Sequence, residues 1–130
     1  MITEDYVSFE TAKLLKEKGF DVPTHSVWID HSKLVGCPAG ISMFPHAKNW
    51  NAIDDGMSDI YFSAPTLQMA MKWLREVYNI AIDTEWEHLW YVYVKPMTVN
   101  PSENDYYQYY SAKYEEAIEA AIKYCLTNLI

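Results

Sequence analysis

Few residues in this 130-residue chain have the types and spacing that chemistry needs. Cys37 lies in Gly36-Cys37-Pro38-Ala39-Gly40. A nucleophilic thiolate needs a cation, an imidazole or a helix N-terminus beside it. The local sequence supplies none, so Cys37 reads as a loop thiol, and as a nucleophile only if a distant histidine serves it. Cys125 falls on helical apolar spacing and reads as core. His25, His31, His46 and His88 include no i, i+4 helical pair, and there is no Cys-x-x-Cys. His25, Asp30 and His31 could converge around a first hairpin, but an exposed strand-and-turn set is the simpler expectation, with no metal. Asp54-Asp55-Gly56-Met57-Ser58-Asp59 starts like a calcium loop, but its spacing is wrong and no Glu closes it. It reads as a turn. With no Gly-x-Ser-x-Gly and no phosphate-cradling glycine loop, no cofactor is expected.

Aromatic content is the anomaly: five Trp and eleven Tyr. Trp73, Trp86, Trp90, Tyr78, Tyr91 and Tyr114 fall in regular segments, where core packing accounts for most of them. Tyr106-Tyr107-Gln108-Tyr109-Tyr110 is different, since an extended chain there would show tyrosine on both faces. Tyrosine is enriched at protein interfaces because its ring is apolar and its tip is wet. Three readings stay open: the segment folds back over a sheet, it meets a protein (foreign or a second copy), or it lines a small-molecule pocket. The candidate interaction surface is Trp50, Tyr106, Tyr107, Tyr109 and Tyr110, with the aromatics around Trp50 expected to be exposed.

Composition bounds the rest. Eighteen acids against ten bases give a net charge of −8, and Arg75 is the sole arginine. Phosphate backbones are bound by clustered Lys and Arg, so a nucleic-acid partner is not expected. The acids are spread along the chain, which favours plain solubility over an acidic tail. The length suits one domain, 1–130, and half the residues are hydrophobic, enough for a core. Two cysteines do not make a secreted disulfide framework. The start of the chain lacks signal-peptide character, and no apolar run approaches the roughly 20 residues of a membrane span. A cytoplasmic protein with no membrane association is expected.

The elements that position these residues read as follows. Ser8 caps a helix ended by Gly19, with Phe20 folding back. A strand at about His25–Asp30 turns at Asp30-His31-Ser32 and returns over Lys33–Val35. Gly36 to Asp59 is the least regular part, rich in Gly and Pro. Ile60–Phe62 is a short strand. Ser63 or Ala64 caps a second helix, with Pro65 in its first turn and Leu67, Ala70, Met71, Leu74, Val77 and Tyr78 on its buried stripe. Ile80–Trp86 and Leu89–Val94 form a hairpin turning at Glu87-His88, the second strand being apolar on both faces and therefore central. Residues 97–111 read as a loop. A last helix, Ala112 to Thr127, buries Tyr114, Ala117, Ile118, Ala121, Ile122, Cys125 and Leu129. This order predicts an α+β fold: an antiparallel sheet of four to five strands packed with three amphipathic helices as a layered sandwich.

Three stretches carry a resemblance: Val7–Glu10 with Leu14–Phe20, Ser63–Glu76, and Tyr114–Leu126. Together they cover a little under a third of the chain and resemble a short protein family of prophages and mobile elements in gut bacteria. More loosely, Tyr61-Phe62-Ser63, the helix from Pro65, Trp90-Tyr91-Val92 and the helix from Tyr114 are similar to the phage ABA sandwich domain. This chain departs from that pattern in its extra N-terminal helix and hairpin, and in its longer tyrosine-rich segment. The resemblance implies a phage-related setting and brings no activity, cofactor or catalytic residue.

The expectation is therefore an accessory protein that works by protein–protein binding or by self-association, as a homo-oligomer. One alternative is an acidic inhibitor that mimics nucleic acid or blocks a host factor. The other is a small cysteine-dependent enzyme built on Cys37 and a histidine.

Overall fold

The computed structural model describes residues 2–31, 36–54, 56, 59–97 and 107–130. By its internal contacts the chain groups into two compact units, Tyr6–Pro65 and Thr66–Ile130, the latter including the start of the chain to Asp5.

In the Tyr6–Pro65 unit, helix α1 is Phe9–Glu17. The Ser8 hydroxyl accepts from the Thr11 amide at 3.2 Å, satisfying a first-turn donor that the helix itself cannot. Gly19 takes φ +87, and the Phe20 amide returns to the Leu15 carbonyl, which puts the Phe20 ring in the core. Strands β1 (Thr24–His31), β2 (Gly40–Lys48) and β3 (Asp59–Ser63) make an antiparallel sheet in the order β2-β1-β3. Trp28 of β1 pairs with Phe62 of β3, and Phe9 of α1 lies over both at 5.9 and 5.3 Å between ring centroids.

Strand β2 corrects the irregular reading of Gly36–Asp59. A bulge explains why its sequence hides it. Thr24 pairs with Lys48 and Ser26 with Met43, so Phe44 to Ala47 face a single residue of β1. Pro45 sits in that excess, where no ladder N–H is required of it. The expected return strand Lys33–Val35 lies outside the described residues; among the described ones it is β2 that returns along β1.

In the other unit, α2 is Leu67–Tyr78. Its cap is Thr66, whose hydroxyl accepts from the Met69 amide at 3.1 Å, in place of the expected Ser63 or Ala64. Ser63 instead closes β3, and Pro65 precedes the cap. Leu67, Ala70, Met71, Trp73 and Leu74 are buried, whereas Val77, expected on that stripe, is exposed. Asn79 ends the helix at φ +55.

The chain then forms β4 (Ile80–Glu87), reverses at His88 with φ +66, and forms β5 (Leu89–Pro96). Strand β6 (Tyr107–Ser111) follows, antiparallel to β5, in the order β4-β5-β6. The central placement of β5 is as its double-sided apolarity predicts. The loop reading of residues 97–111 is corrected over its last five residues, which are strand. Helix α3 is Tyr114–Tyr124, followed by a π-helical turn, Cys125–Leu129. The wider turn shifts the stripe: Cys125 and Leu126 are buried, while Leu129 is exposed.

The fold is α+β, with three helices and two three-stranded antiparallel sheets rather than one sheet of four to five strands. The two additional strands, β2 and β6, are those whose sequences carry proline and bulge, or unbroken polar aromatics, in place of an apolar alternation. No helix among the described residues is long and apolar enough to cross a membrane.

Candidate functional site

Strand register decides which way the tyrosines of the second sheet point. Val92 pairs with Tyr109 and Val94 with Tyr107, while Tyr91 pairs with Tyr110 and Tyr93 with Gln108. Side chains alternate across a strand, so Trp90, Val92, Val94, Tyr107, Tyr109 and Ser111 share one face. Helix α3 covers that face. Tyr107 stacks on Tyr124 with ring centroids 3.8 Å apart, and Trp90 meets Tyr114 edge-on at 5.0 Å. Burial raises the pKa of the Tyr107 hydroxyl, and its neighbours Tyr109 and Tyr124 push it the same way.

The opposite face carries two cross-strand rows: Asp83, Tyr93 and Gln108, then Glu85, Tyr91 and Tyr110. Lys95 Nζ donates to Asp83 at 2.8 Å and lies 5.7 Å from the Tyr93 ring centroid. Tyr91 and Tyr110 rings are 5.8 Å apart. Tyr110 is 59% exposed and Tyr109 39%. A shallow depression of about 600 Å³ runs along Ile82, Asp83, Thr84, Glu85, Tyr93 and Lys95. Aromatic rings on a rigid strand lose little entropy on contact, and their hydroxyls give and accept hydrogen bonds at the rim. Such rings and hydroxyls are of the kind enriched where proteins meet.

The sequence-based candidates separate. Tyr107, Tyr109 and Tyr110 come together on β6. Tyr106 lies outside the described residues. Trp50 is a correction: it is 6% exposed, in a 3-10 turn of the Tyr6–Pro65 unit. Its indole N–H donates to the Thr24 carbonyl at 2.7 Å, and its ring packs on Phe44 at 4.9 Å. A satisfied indole N–H removes the usual reason for tryptophan to stay at the surface.

His25 and His31 sit at opposite ends of β1, about 20 Å apart at the rise of a strand. His25 Nδ1 is 3.1 Å from the Phe44 carbonyl, and His31 Nδ1 is 2.9 Å from Asp59 Oδ1. Among the described residues, no three His, Cys, Asp or Glu side chains group closely enough to hold a metal ion. Cys37 is exposed, its thiol 3.9 Å from the Pro38 carbonyl, with no cation or imidazole among its described contacts. Cys125 is buried, and desolvation pushes its pKa up to about 12, far from a working thiolate.

A second hollow, about 390 Å³, is lined by Lys16, Asn51, Ala52, Ile53, Asp54, Asp59 and Ile60. Lys16 Nζ donates to the Tyr61 carbonyl at 2.9 Å, and burial lowers its pKa against the opposing pull of Asp54. The same amine lies 4.8 Å from the centroid of the Phe62 ring.

Sequence reasoning missed Tyr91 and Tyr93 as half-buried residues of the face opposite α3. The signal was present in β5, where tyrosines at every second position alternate with Val92 and Val94. Two Tyr where full burial would favour Val or Ile mark a half-wet face.

No family model matches this chain, and neither a curated protein nor a solved structure resembles it closely enough to count as a match.

Proposed function

We propose that the protein is a binding module that contacts another protein chain, foreign or its own copy, through the tyrosine-bearing edge and open face of the second sheet. The observation that carries this reading is the row Glu85, Tyr91 and Tyr110, which ends in a largely exposed ring on an edge strand. The resemblance to short prophage and mobile-element proteins supports an accessory role in that setting. The acidic-inhibitor reading draws on Asp83, Glu85 and Glu87, which alternate along β4. It is the weaker one, because Lys95 already neutralises Asp83. A cysteine-dependent enzyme has no support in the contacts of Cys37.

The test is a photo-crosslinking residue at position 110, in the full chain, in cells that make it. The binding reading expects one or a few discrete adducts there and none from the same residue at exposed Lys72 on α2. Equal or absent crosslinking at both positions would end it.

A further inference from the structure

The open face of the second sheet already holds one cation of its own. Lys95 Nζ donates to Asp83 at 2.8 Å and lies 5.7 Å from the centroid of the Tyr93 ring, and Tyr93 is directly opposite Asp83. The ammonium is held by a carboxylate and by an aromatic face, the two groups that attract cations at a protein surface. The next row repeats that pair without a cation. Glu85 is directly opposite Tyr91, and Tyr91 is opposite Tyr110, with the two rings 5.8 Å apart. Directly opposite residues share a face, their Cβ atoms about 5 Å apart. Glu87 follows on that face of β4, about 7 Å beyond Glu85 at the rise of a strand. Glu85, Glu87 and Tyr110 are exposed, and no ion pair among the described residues neutralises either glutamate. Helix α3 lies against the other face of the sheet, through Tyr114 on Trp90 and Tyr124 on Tyr107.

We propose that this face takes an extended, arginine-bearing segment of a foreign protein, with two arginines at alternate positions set against Glu85 and Glu87. The inference rests on the reading of the face as a binding surface and names the chemistry of its partner. Charge complementarity selects that partner. Side chains on one side of an extended segment recur about every 7 Å, which is the spacing of the two carboxylates. One guanidinium pairs with Glu85 and stacks on the Tyr91 and Tyr110 rings, as the Lys95 ammonium sits on Asp83 and Tyr93. Arginine suits the place better than lysine, because its planar fork meets a carboxylate through two hydrogen bonds and lies flat on a ring. A second copy is a poor source of such a segment. It carries the same net charge of −8, and none of its described strands has two Lys or Arg at alternate positions.

The experiment titrates the isotope-labelled full chain, followed by NMR, with an end-blocked Ser-Arg-Thr-Arg-Ser peptide and with its Ser-Gln-Thr-Gln-Ser counterpart. The arginine peptide is expected to bind with a Kd of about 1 mM or tighter. It should shift the amides of residues 83–93 and 108–110 and leave those of α1 in place, and its affinity should fall as salt is raised. The glutamine peptide is expected not to bind. Glu85→Gln, an exposed change of nearly equal shape, should weaken the arginine peptide about three- to fivefold. Glu115→Gln, exposed on α3, alters the net charge by the same amount and should leave binding unchanged, which separates this face from the general attraction of an acidic protein for cations. No binding of the arginine peptide, equal binding of the glutamine peptide, shifts centred elsewhere, or equal losses from the two substitutions would each overturn the inference. Should that happen while position 110 still crosslinks to a foreign protein, the binding reading stands without its arginine partner. Should no discrete crosslink form either, both end.

Discussion

Trp50 and Tyr110 are both large aromatics with one polar atom, both in stretches poor in apolar alternation, and they meet opposite fates. Trp50 has an acceptor for its N–H at 2.7 Å and a ring partner in Phe44, and it is buried. Tyr110 lies on the outer strand of its sheet, its ring against those of Tyr91 and Tyr109 and still more than half exposed. Residue type alone does not separate a core aromatic from a contact aromatic. A satisfied polar tip and the number of strands flanking the residue do.

The largest expected effect follows from the buried member. Trp50→Ala should lower stability by about 3–5 kcal/mol, the range for removing a large buried aromatic. Trp50→Phe keeps most of the ring but leaves the Thr24 carbonyl without its donor, so it should lose less, on the order of 1–3 kcal/mol. Urea unfolding measures both. A cost for Trp50→Ala under about 1 kcal/mol would place Trp50 at the surface after all, within the range of exposed substitutions.

The two thiols repeat the contrast. Cys37 is exposed and should react with a thiol reagent in the native protein, while Cys125 should wait for unfolding. Cys125 also makes stability depend on pH. Its thiol ionises near the ordinary 9.0 when unfolded and only at about 12 when folded, so the unfolded state loses its proton first. Stability should therefore fall as pH rises past 9.0 and continue to fall towards 12, by about 4 kcal/mol in all. Tyr107 adds loss of the same sign above 10.0. Cys125→Ala should remove the thiol part of that slope. Melting temperature against pH, wild type beside variant, measures it, and identical slopes would refute the assignment to Cys125.

Much of the frame was legible in the sequence, for reasons these residues show. The apolar stripe Leu67, Ala70, Met71 and Leu74, the Ser8 cap and the double-sided apolarity of β5 are local patterns with one structural solution. Strands β2 and β6 were not legible, because their pairing is non-local. Pro45 argues against a strand until a bulge receives it, and Tyr107–Ser111 has no polar–apolar alternation because α3 covers one face with another tyrosine. At the candidate surface, the tyrosines of β6 stood out by composition. Their neighbours Tyr91 and Tyr93 required the register, and Trp50 was misplaced because an indole's hydrogen-bond partner 26 residues away leaves no trace in sequence.

Smaller effects ask whether the two compact units melt together, as the length of the chain leads one to expect. Ser8→Ala and Thr66→Ala each remove one helix N-cap, one from each unit, and should each cost about 1 kcal/mol. In a single cooperative transition both shift the same midpoint, and the double variant loses about 2 kcal/mol, since distant sites add. If the units unfold separately, Ser8→Ala moves one transition and leaves the other in place. Calorimetry distinguishes the two, and only the second outcome would divide the chain into independent domains.

The smallest expected change in stability is the one that bears most on function. Tyr110→Ser removes a ring that is more than half exposed and has two aromatic neighbours, Tyr91 at 5.8 Å and Tyr109 at 6.4 Å. A cross-strand aromatic pair on an open face is worth about 0.2–1 kcal/mol, and the loss should fall at the low end of that range. Binding should respond differently, because a ring that is solvated in the free protein contributes only when a partner covers it. Tyr110→Ser should therefore leave the urea midpoint almost unmoved while weakening any complex formed at the β6 edge by tenfold or more, about 1.4 kcal/mol. The opposite pattern, a loss of stability near that of Trp50→Ala with complex formation unchanged, would show Tyr110 serving the fold. The distinction between the buried and the exposed aromatic would then be one of degree, and the β6 edge would have no claim to be a contact surface.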